Sequence, residues 1–288
     1  MSHYTAYVIT KTNNHEELDK LMLPYNEYEC TGITDYCIHI NETKDAITEY
    51  ANNKNDYESL EAFLDSWYCI KPDCIFAEEP TEKPQESYAV VKDGQILQVY
   101  DFTNPNRKWD YYTPFEWTNC AILKKGAIYE DAMTVKKSQL DMEQFMKDRK
   151  NYYIALYRKL KPFFKPDFIS WRRACKNYPE TASDVYNKQQ TITDMTLNIG
   201  SEEMFHIRWN INIDNIATMT EEEFVDSNLR EEAPFWAMVL PTGEWIEHGK
   251  MGWFAISYDE DKNFNKTWME IWKTIPDDCY VWRCDCHI

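Results

Sequence analysis

The chain is acidic and rich in aromatic residues. Its 288 residues are 43% hydrophobic and 15% aromatic, which excludes intrinsic disorder, collagen and coiled coil, and the length predicts one large domain or two smaller ones. The formal net charge of −18 disfavours direct binding of nucleic acid, because that binding depends mostly on Lys and Arg neutralising phosphates.

Hydrophobic periodicity and turn residues predict the elements of the first 176 residues. These are a strand over 4–10, a helix over 16–22, hairpin strands over 88–91 and 96–100, a helix over 142–160 and a short helix ending at Cys175. Asp93-Gly94 is typical of a two-residue hairpin turn. The long helix is amphipathic, with apolar residues at spacings of three and four. Asp167 is the predicted cap of the short helix.

The C-terminal third predicts a β-β-β-α-β module. Thr220 and Glu223 form a capping box before a helix over 221–229. The module follows, with strands over 235–240, 244–247 and 251–258, a helix over 264–273 and a strand over 280–287. Its first two strands bracket Pro241-Thr242-Gly243 as a hairpin, and M-G-W-F at 251–254 is predicted core. The fold class is therefore α+β with mostly antiparallel sheets.

Charge alternates along the chain and suggests three regions. Residues 15–86 contain 18 acidic and 5 basic residues. Residues 92–176 contain 10 acidic and 17 basic residues, and residues 177–288 contain 21 acidic and 8 basic residues. We expect an acidic α/β region over 1–84, a basic central region over 85–176 and an acidic region over 177–288, with linkers at 78–85 and 161–166. The acidic regions are either a solvated surface or a face complementary to a basic partner.

Basic and aromatic residues are interleaved between positions 147 and 176, with 10 basic and 2 acidic side chains. Such a mixture can form a stacking groove for single strands. The helical spacing favours another interpretation, in which aromatic residues pack inward and the cations contact acidic segments of this chain or of a second copy. A basic patch for a separate partner is the third alternative.

Cysteine and histidine give no defined catalytic or metal motif. The sequence has no H-E-x-x-H pair, no G-x-S-x-G elbow and no phosphate-binding glycine pattern. Cys279, Cys284, Cys286 and His287 are four soft ligands close together, but without the C-x-x-C pairs usual for zinc. Buried free thiols, a disulfide and a metal site remain alternatives. We predict no catalytic residue, metal ligand or cofactor.

The sequence also predicts where the protein acts. Its longest apolar stretch, 234–240, is far too short to cross a bilayer, and the N-terminus lacks the pattern of a secretory signal. The nine cysteines are an odd number and suit free thiols in a reducing compartment. We therefore expect a cytoplasmic protein without a membrane partner.

Four segments resemble a family of phage and prophage proteins. They are P-Y-N-E-Y-E-C-T-G (24–32), N-P-N-R-K-W-D-Y-Y (104–112), P-T-G-E-W-I-E-H-G-K-M-G-W-F (241–254) and C-D-C-H-I (284–288). Size, acidity and aromatic content are similar to the phage anti-defence proteins that block the bacterial Gabija system. This resemblance implies a non-enzymatic inhibitor that oligomerises around the defence nuclease complex and prevents it from engaging or cutting DNA.

The motifs supply the candidate contact residues. We expect contacts to the partner or between copies at Trp109, Asp110, Tyr111, Tyr112, Cys284, Cys286 and His287. The expected partners are a Gabija-like nuclease complex and further copies of this chain, with no direct contact to nucleic acid. Two other hypotheses remain: an enzyme that uses Cys or His to act on a nucleotide signal or host protein, and an acidic DNA mimic aimed at another nuclease.

Overall fold

A computed structural model describes residues 3–118, 120–127, 132–251 and 257–288. Its helices are α1 (His15–Met22), α2 (Tyr28–Thr31), α3 (Thr43–Asn53), α4 (Leu60–Tyr68), α5 (Met142–Leu160), α6 (Trp171–Asn177), α7 (Ala182–Asn187), α8 (Gln190–Ile199), α9 (Ser201–Asn210), α10 (Asp214–Thr218), α11 (Glu221–Leu229) and α12 (Phe264–Thr274). Its strands are β1 (His3–Thr10), β2 (Ile38–Asn41), β3 (Ile75–Phe76), β4 (Tyr88–Lys92), β5 (Gln95–Thr103), β6 (Tyr111–Pro114), β7 (Thr134–Lys136), β8 (Ala237–Val239), β9 (Trp245–Glu247), β10 (Lys250–Met251), β11 (Ser257–Tyr258) and β12 (Tyr280–His287). Helices and mostly antiparallel sheets confirm the predicted α+β class.

The chain folds into two compact units. The sheet unit combines Met1–Glu116, Ala237–Tyr258 and Tyr280–Ile288, and the helical unit combines Trp117–Trp236 and Asp259–Cys279. This grouping differs from three consecutive regions, because each unit is assembled from segments far apart in sequence. The segment 78–85, expected as a linker, connects β3 to β4 within one sheet of the sheet unit.

The main sheet of the sheet unit has the strand order β6-β12-β1-β8-β9. The central strand β1 is buried along most of its length, as expected of a strand with neighbours on both sides. It pairs antiparallel with β12, where Ala6 faces Cys284, and parallel with β8, where Tyr7 faces Met238.

The elements of the predicted C-terminal β-β-β-α-β module do not assemble with one another alone. The hairpin of β8 and β9 forms as expected, with Met238 opposite Ile246. However, β1 from the N-terminus lies between β8 and β12, and α12 belongs to the helical unit. The predicted third strand, 251–258, is replaced by two short strands, β10 and β11, which pair with each other. Residues 252–256, including most of the predicted M-G-W-F core, lie outside the described residues.

A second sheet has the order β2-β5-β4-β3. The predicted hairpin joins β4 and β5, and both Asp93 and Gly94 have a positive φ, as a type I′ turn requires. Helices α3 and α4 supply Ala46 and Phe63 to the hydrophobic cluster on this sheet.

The helical unit is built on the predicted amphipathic helix α5. Its buried side chains, Met142, Tyr153, Leu156, Tyr157 and Leu160, face the core, as the spacing predicted. Helix α11 has the predicted capping box. The cap of α6 is Ser170 rather than Asp167, because α6 begins at Trp171 and the Ser170 hydroxyl accepts from the Arg173 N–H at 3.3 Å. Among the described residues, no helix is long and apolar enough to cross a membrane.

Candidate functional site

Parts of the four motif segments meet in the sheet unit. The first two are joined by backbone hydrogen bonds, from the Glu27 N–H to the Trp109 carbonyl at 2.7 Å and from the Lys108 N–H to the Tyr25 carbonyl at 2.8 Å. The third joins them where the Tyr25 hydroxyl donates to the Gly243 carbonyl at 2.6 Å. We call this meeting point the motif cluster.

Asn104 ties the first two segments together. This side chain is fully buried, and its amide nitrogen donates to the carbonyls of Pro24 and Asn26, each at 2.9 Å. Its amide oxygen accepts from the Asn106 N–H at 2.9 Å, which closes the Asn-Pro turn. The Asn of the N-P motif therefore holds both the turn and the neighbouring segment.

The C-terminal motif completes the cluster through Asp110 and His287. The Asp110 N–H donates to the His287 carbonyl at 3.0 Å, and the Asp110 carboxylate lies 2.6 Å from His287 Nδ1. Tyr111 stacks on the His287 ring with centroids 4.6 Å apart. A third pair, Lys108 Nζ and the Glu247 carboxylate at 2.6 Å, links the second and third motifs.

The structure brings all seven predicted contact residues to the paired strands β6 and β12 and the residues just before β6. Most are enclosed, since Trp109, Cys284, Cys286 and His287 are buried. Tyr112 donates its hydroxyl to Asp19 of α1, and Tyr111 is about half exposed. Their role in contacts with a partner stays a prediction, and Tyr111 is the member with the largest accessible ring.

The cysteines of the motif cluster are poor nucleophiles. Burial raises the pKa of the Cys284 and Cys286 thiols, and desolvation followed by the Glu27 charge raises the pKa of Cys30. A reactive cysteine needs the opposite shift, because the thiolate is the nucleophile. His287 Nε2 is buried without a hydrogen-bond partner among the described residues. The described cluster thus has the geometry of a packed polar core.

Possible metal ligands occur at a different place from the one considered in the sequence. Glu27, Cys30 and Asp110 offer ligand atoms within 4.8 Å of one another. Their carboxylates already have partners within the chain, since Arg107 Nε lies 3.7 Å from Glu27 and the His287 imidazole lies beside Asp110. Among the described residues, the cysteines and histidine of the C-terminus form no such group.

We expect Glu27→Gln to change the pH dependence of stability. Desolvation, followed by the neighbouring Glu29, raises the pKa of Glu27, so folding favours its protonated form. Its contribution to stability is full below the pKa of the unfolded chain and is lost as pH rises through the folded pKa. The variant should match the wild type near pH 4 and be more stable at pH 7 by a few tenths of a kcal/mol, roughly.

Urea unfolding of both proteins between about pH 4 and pH 7 measures this difference directly. The exposed Glu82→Gln is the control and should show the wild-type dependence. A Glu27→Gln variant that lost stability relative to the wild type as pH rose would contradict the assignment.

The second candidate site is an acidic helix pair, defined as α3, α4 and their flanking residues over 42–86. Twelve carboxylates stand against four lysines in this span, and most of the carboxylates are exposed. Partial burial, followed by Asp45, raises the pKa of Glu42. Burial, with the charges of Asp45, Glu42 and Glu49, raises the pKa of Tyr68 to about 12. The carboxylates therefore create a strong negative potential around the helices.

Two large apolar side chains are exposed within the acidic helix pair. Ile47 on α3 is 47% exposed and Trp67 on α4 is 49% exposed. Trp67 donates its indole N–H to the Tyr57 hydroxyl, so its polar atom is satisfied while the ring remains accessible. Charge patterning indicated the acidity of this segment from sequence, whereas the exposure of these two side chains required the structure.

Comparison with known proteins gives no relative for the chain. No protein-family model matches it, and neither curated proteins nor solved structures give a significant match. A functional proposal therefore rests on the motif cluster, the acidic helix pair and the motifs of the sequence.

Proposed function

We propose that the protein is a non-enzymatic, phage-encoded inhibitor of a bacterial anti-phage defence nuclease of the Gabija kind. It binds the nuclease complex stoichiometrically, as a homo-oligomer in the host cytoplasm, and blocks engagement or cleavage of DNA. The acidic helix pair is the single observation that carries this proposal. The four motifs suggest the phage origin, and the likeness in size, acidity and aromatic content to proteins that block Gabija suggests the kind of target.

Electrostatics supports the proposal in a specific way. A nuclease channel must present Lys and Arg to bind phosphates, so a concentrated array of carboxylates is complementary to it. Complementary charge accelerates association and disfavours competing partners. Exposed carboxylates on one helix contribute most to binding a basic channel. Glu61 and Asp65 are such a pair, four residues apart on α4.

Apolar anchors support binding rather than solvation as the role of this surface. Tyr and Trp are enriched among the residues that dominate binding energy, because a large rigid ring is buried at low entropic cost. Trp67 places one such ring among the carboxylates, and Ile47 adds an exposed aliphatic side chain.

The raised pKa values of Cys30, Cys284 and Cys286 speak against these three thiols as the nucleophile of the alternative, a Cys- or His-dependent enzyme. A DNA mimic aimed at another nuclease relies on the same acidic helix pair as the proposed function. The two differ in target rather than in surface, so the identity of the captured protein separates them.

The test is charge reversal on α4, with a matched control. Glu61→Lys with Asp65→Lys should weaken association with the nuclease complex by about tenfold or more at low salt, mainly through a slower on-rate. The control, Glu222→Lys with Asp226→Lys on α11, has the same spacing, exposure and helix position, and should leave affinity unchanged. Native mass spectrometry of tagged protein from cells carrying Gabija gives the complex and its copy number.

Three outcomes would contradict the proposal. One is recovery of the protein alone from cells in which it still protects phage. Another is equal weakening by both double variants, which would indicate a general charge effect rather than a site. The third is protection at substoichiometric concentration with turnover of a host molecule, which would indicate an enzyme.

A further inference from the structure

The helical unit contains a cleft that the proposed function does not use. Its volume is about 840 Å³, within the range of sites for small organic ligands. Helices α6, α7 and α9 and the segment leading into α10 form it. Its floor is apolar and includes the buried side chains of Tyr186, Met204 and Ile211.

Exposed aromatic rings line the cleft. On α9, Trp209 is 79% exposed and Phe205 is 62% exposed, and these two rings stack with centroids 5.9 Å apart. On the other side, Trp171 meets Tyr186 edge to face with centroids 5.5 Å apart. Exposed apolar side chains gathered in one cleft are typical of a ligand site, and flat aromatic faces suit a planar ligand that stacks on them.

Two arginines supply positive charge to the same cleft. Arg172 and Arg208 both line it, and Arg208 lies over the Tyr186 ring at 5.0 Å. The ion pairs described within the helical unit involve other cations, so neither of these arginines has a carboxylate at salt-bridge distance among the described residues. A guanidinium without a carboxylate is well suited to bind phosphate through paired N–H donors.

Asp214 is the carboxylate of the cleft, and its hydrogen bonds are already used. One oxygen accepts from the backbone N–H of Trp171 and the other from the Tyr186 hydroxyl, each at 2.6 Å. The carboxylate thereby fixes the two aromatic residues on which a ligand would rest.

Asn212 and Asn187 also line the cleft. The Asn212 amide oxygen accepts from the Asp214 N–H at 3.2 Å. The Asn187 amide nitrogen donates to the Ser183 hydroxyl at 3.1 Å, so part of each amide can meet the hydrogen-bonding edge of a base.

We propose that this cleft binds a nucleotide, with its base stacked on Trp209 and Phe205 and its phosphates held by Arg172 and Arg208. Aromatic faces and unpaired guanidinium groups in one cleft match the two chemical parts of this ligand. A free nucleotide and the end of a single strand share this chemistry. The net charge of −18 favours the free nucleotide, because a long strand would meet more carboxylates.

The experiment uses the full chain and the fluorescent probe N-methylanthraniloyl-ADP. We expect saturable binding that ATP displaces at lower concentrations than adenosine or inorganic phosphate alone. Trp209→Ala should weaken probe binding at least about fivefold, as expected for loss of one stacking platform. Arg172→Gln should also weaken it by about fivefold or more through loss of a phosphate contact.

The chain offers matched controls for both variants. Arg173→Gln removes the adjacent exposed guanidinium, which does not line the cleft, and Leu197→Ala removes an exposed apolar side chain outside it. Both should bind the probe within about twofold of the wild type. The substituted side chains are exposed, so we expect every variant to fold. Circular dichroism checks this.

Competition experiments distinguish a free nucleotide from a strand end, and they also test the inference itself. Stronger displacement by ATP than by a ten-residue oligothymidine supports a free nucleotide, and the reverse order supports a strand end. The inference fails if the probe shows no saturable binding up to about 1 mM. It also fails if phosphate or an acidic peptide displaces the probe as well as ATP does, or if Trp209→Ala binds like the wild type.

Discussion

Replacing Trp268 by Ala should cost the helical unit about 3–5 kcal/mol of unfolding free energy. Trp268 lies on α12 and is fully buried. Its ring meets Phe235 with centroids 5.5 Å apart, and its indole N–H donates to the Glu232 carbonyl at 2.9 Å. The substitution therefore leaves a large cavity and removes one of two donors to the Glu232 carbonyl, which also accepts from the Asn265 amide at 3.1 Å.

Urea unfolding followed by circular dichroism measures the loss, and hydrogen exchange assigns it to the helical unit. Trp268→Phe separates the two causes, since it keeps much of the packing and should cost about 1–2 kcal/mol through the missing N–H and smaller volume. The control is Trp209→Ala, an exposed Trp of the same unit, which should change stability by less than about 0.5 kcal/mol. A loss below about 1 kcal/mol for Trp268→Ala would contradict its place in the core.

Asn104→Ala should destabilise the sheet unit by about 2–4 kcal/mol, because each buried carbonyl that loses its donor costs about 1–3 kcal/mol. The two carbonyls are those of Pro24 and Asn26. Hydrogen exchange should show faster opening of the Glu27 and Lys108 amides, which join the first two motif segments.

Two further variants make this prediction specific to the buried amide. Asn104→Asp keeps the shape but places an oxygen against the same carbonyls, so it should cost at least as much as Asn104→Ala. Asn106→Ala removes an exposed side chain from the same turn and should cost less than about 0.5 kcal/mol. Equal effects of Asn104→Ala and Asn106→Ala would mean that the turn, and not the buried amide, holds the segments.

Local elements of this fold were predictable where a strong short-range signal exists. The Asp93-Gly94 hairpin, the Thr220 capping box and the amphipathic helix α5 all form as predicted. Each depends on backbone conformation or side-chain spacing within one turn or one helix. The cap of α6 was misplaced by three residues, because Asp167 and Ser170 are both good caps and only the start of the helix decides between them.

No element was predicted for residues 178–219, where α7, α8, α9 and α10 form. These helices are short, and α9 leaves Phe205 and Trp209 exposed instead of burying a single apolar face. Periodicity reports which face is buried, so a helix with exposed aromatic rings gives a weak signal. No pattern in the sequence therefore predicted the cleft that we propose as a nucleotide site.

For the motif cluster, the sequence identified the segments but not their arrangement. The seven predicted residues do come together, yet the residues that hold the cluster include Asn104, Tyr25 and Lys108. Burial also places Cys284, Cys286 and His287 inside. Which motif residues are enclosed depends on the pairing of β6 with β12, whose partners are at least 170 positions apart.

By itself, the sequence determined the α+β class, the two hairpins, the helices α1, α5, α6, α11 and α12, and the acidic character of residues 42–86, because composition and short-range spacing fix these properties. Helices α3 and α4 were not predicted. Tertiary structure alone decided that β1 lies between β8 and β12 and that the four motifs meet. It also decided that the exposed rings of α9 line a cleft. The physical reason is that strand pairing and burial depend on contacts between distant segments. A local pattern predicts that a residue is buried but does not predict which distant residues pack on it.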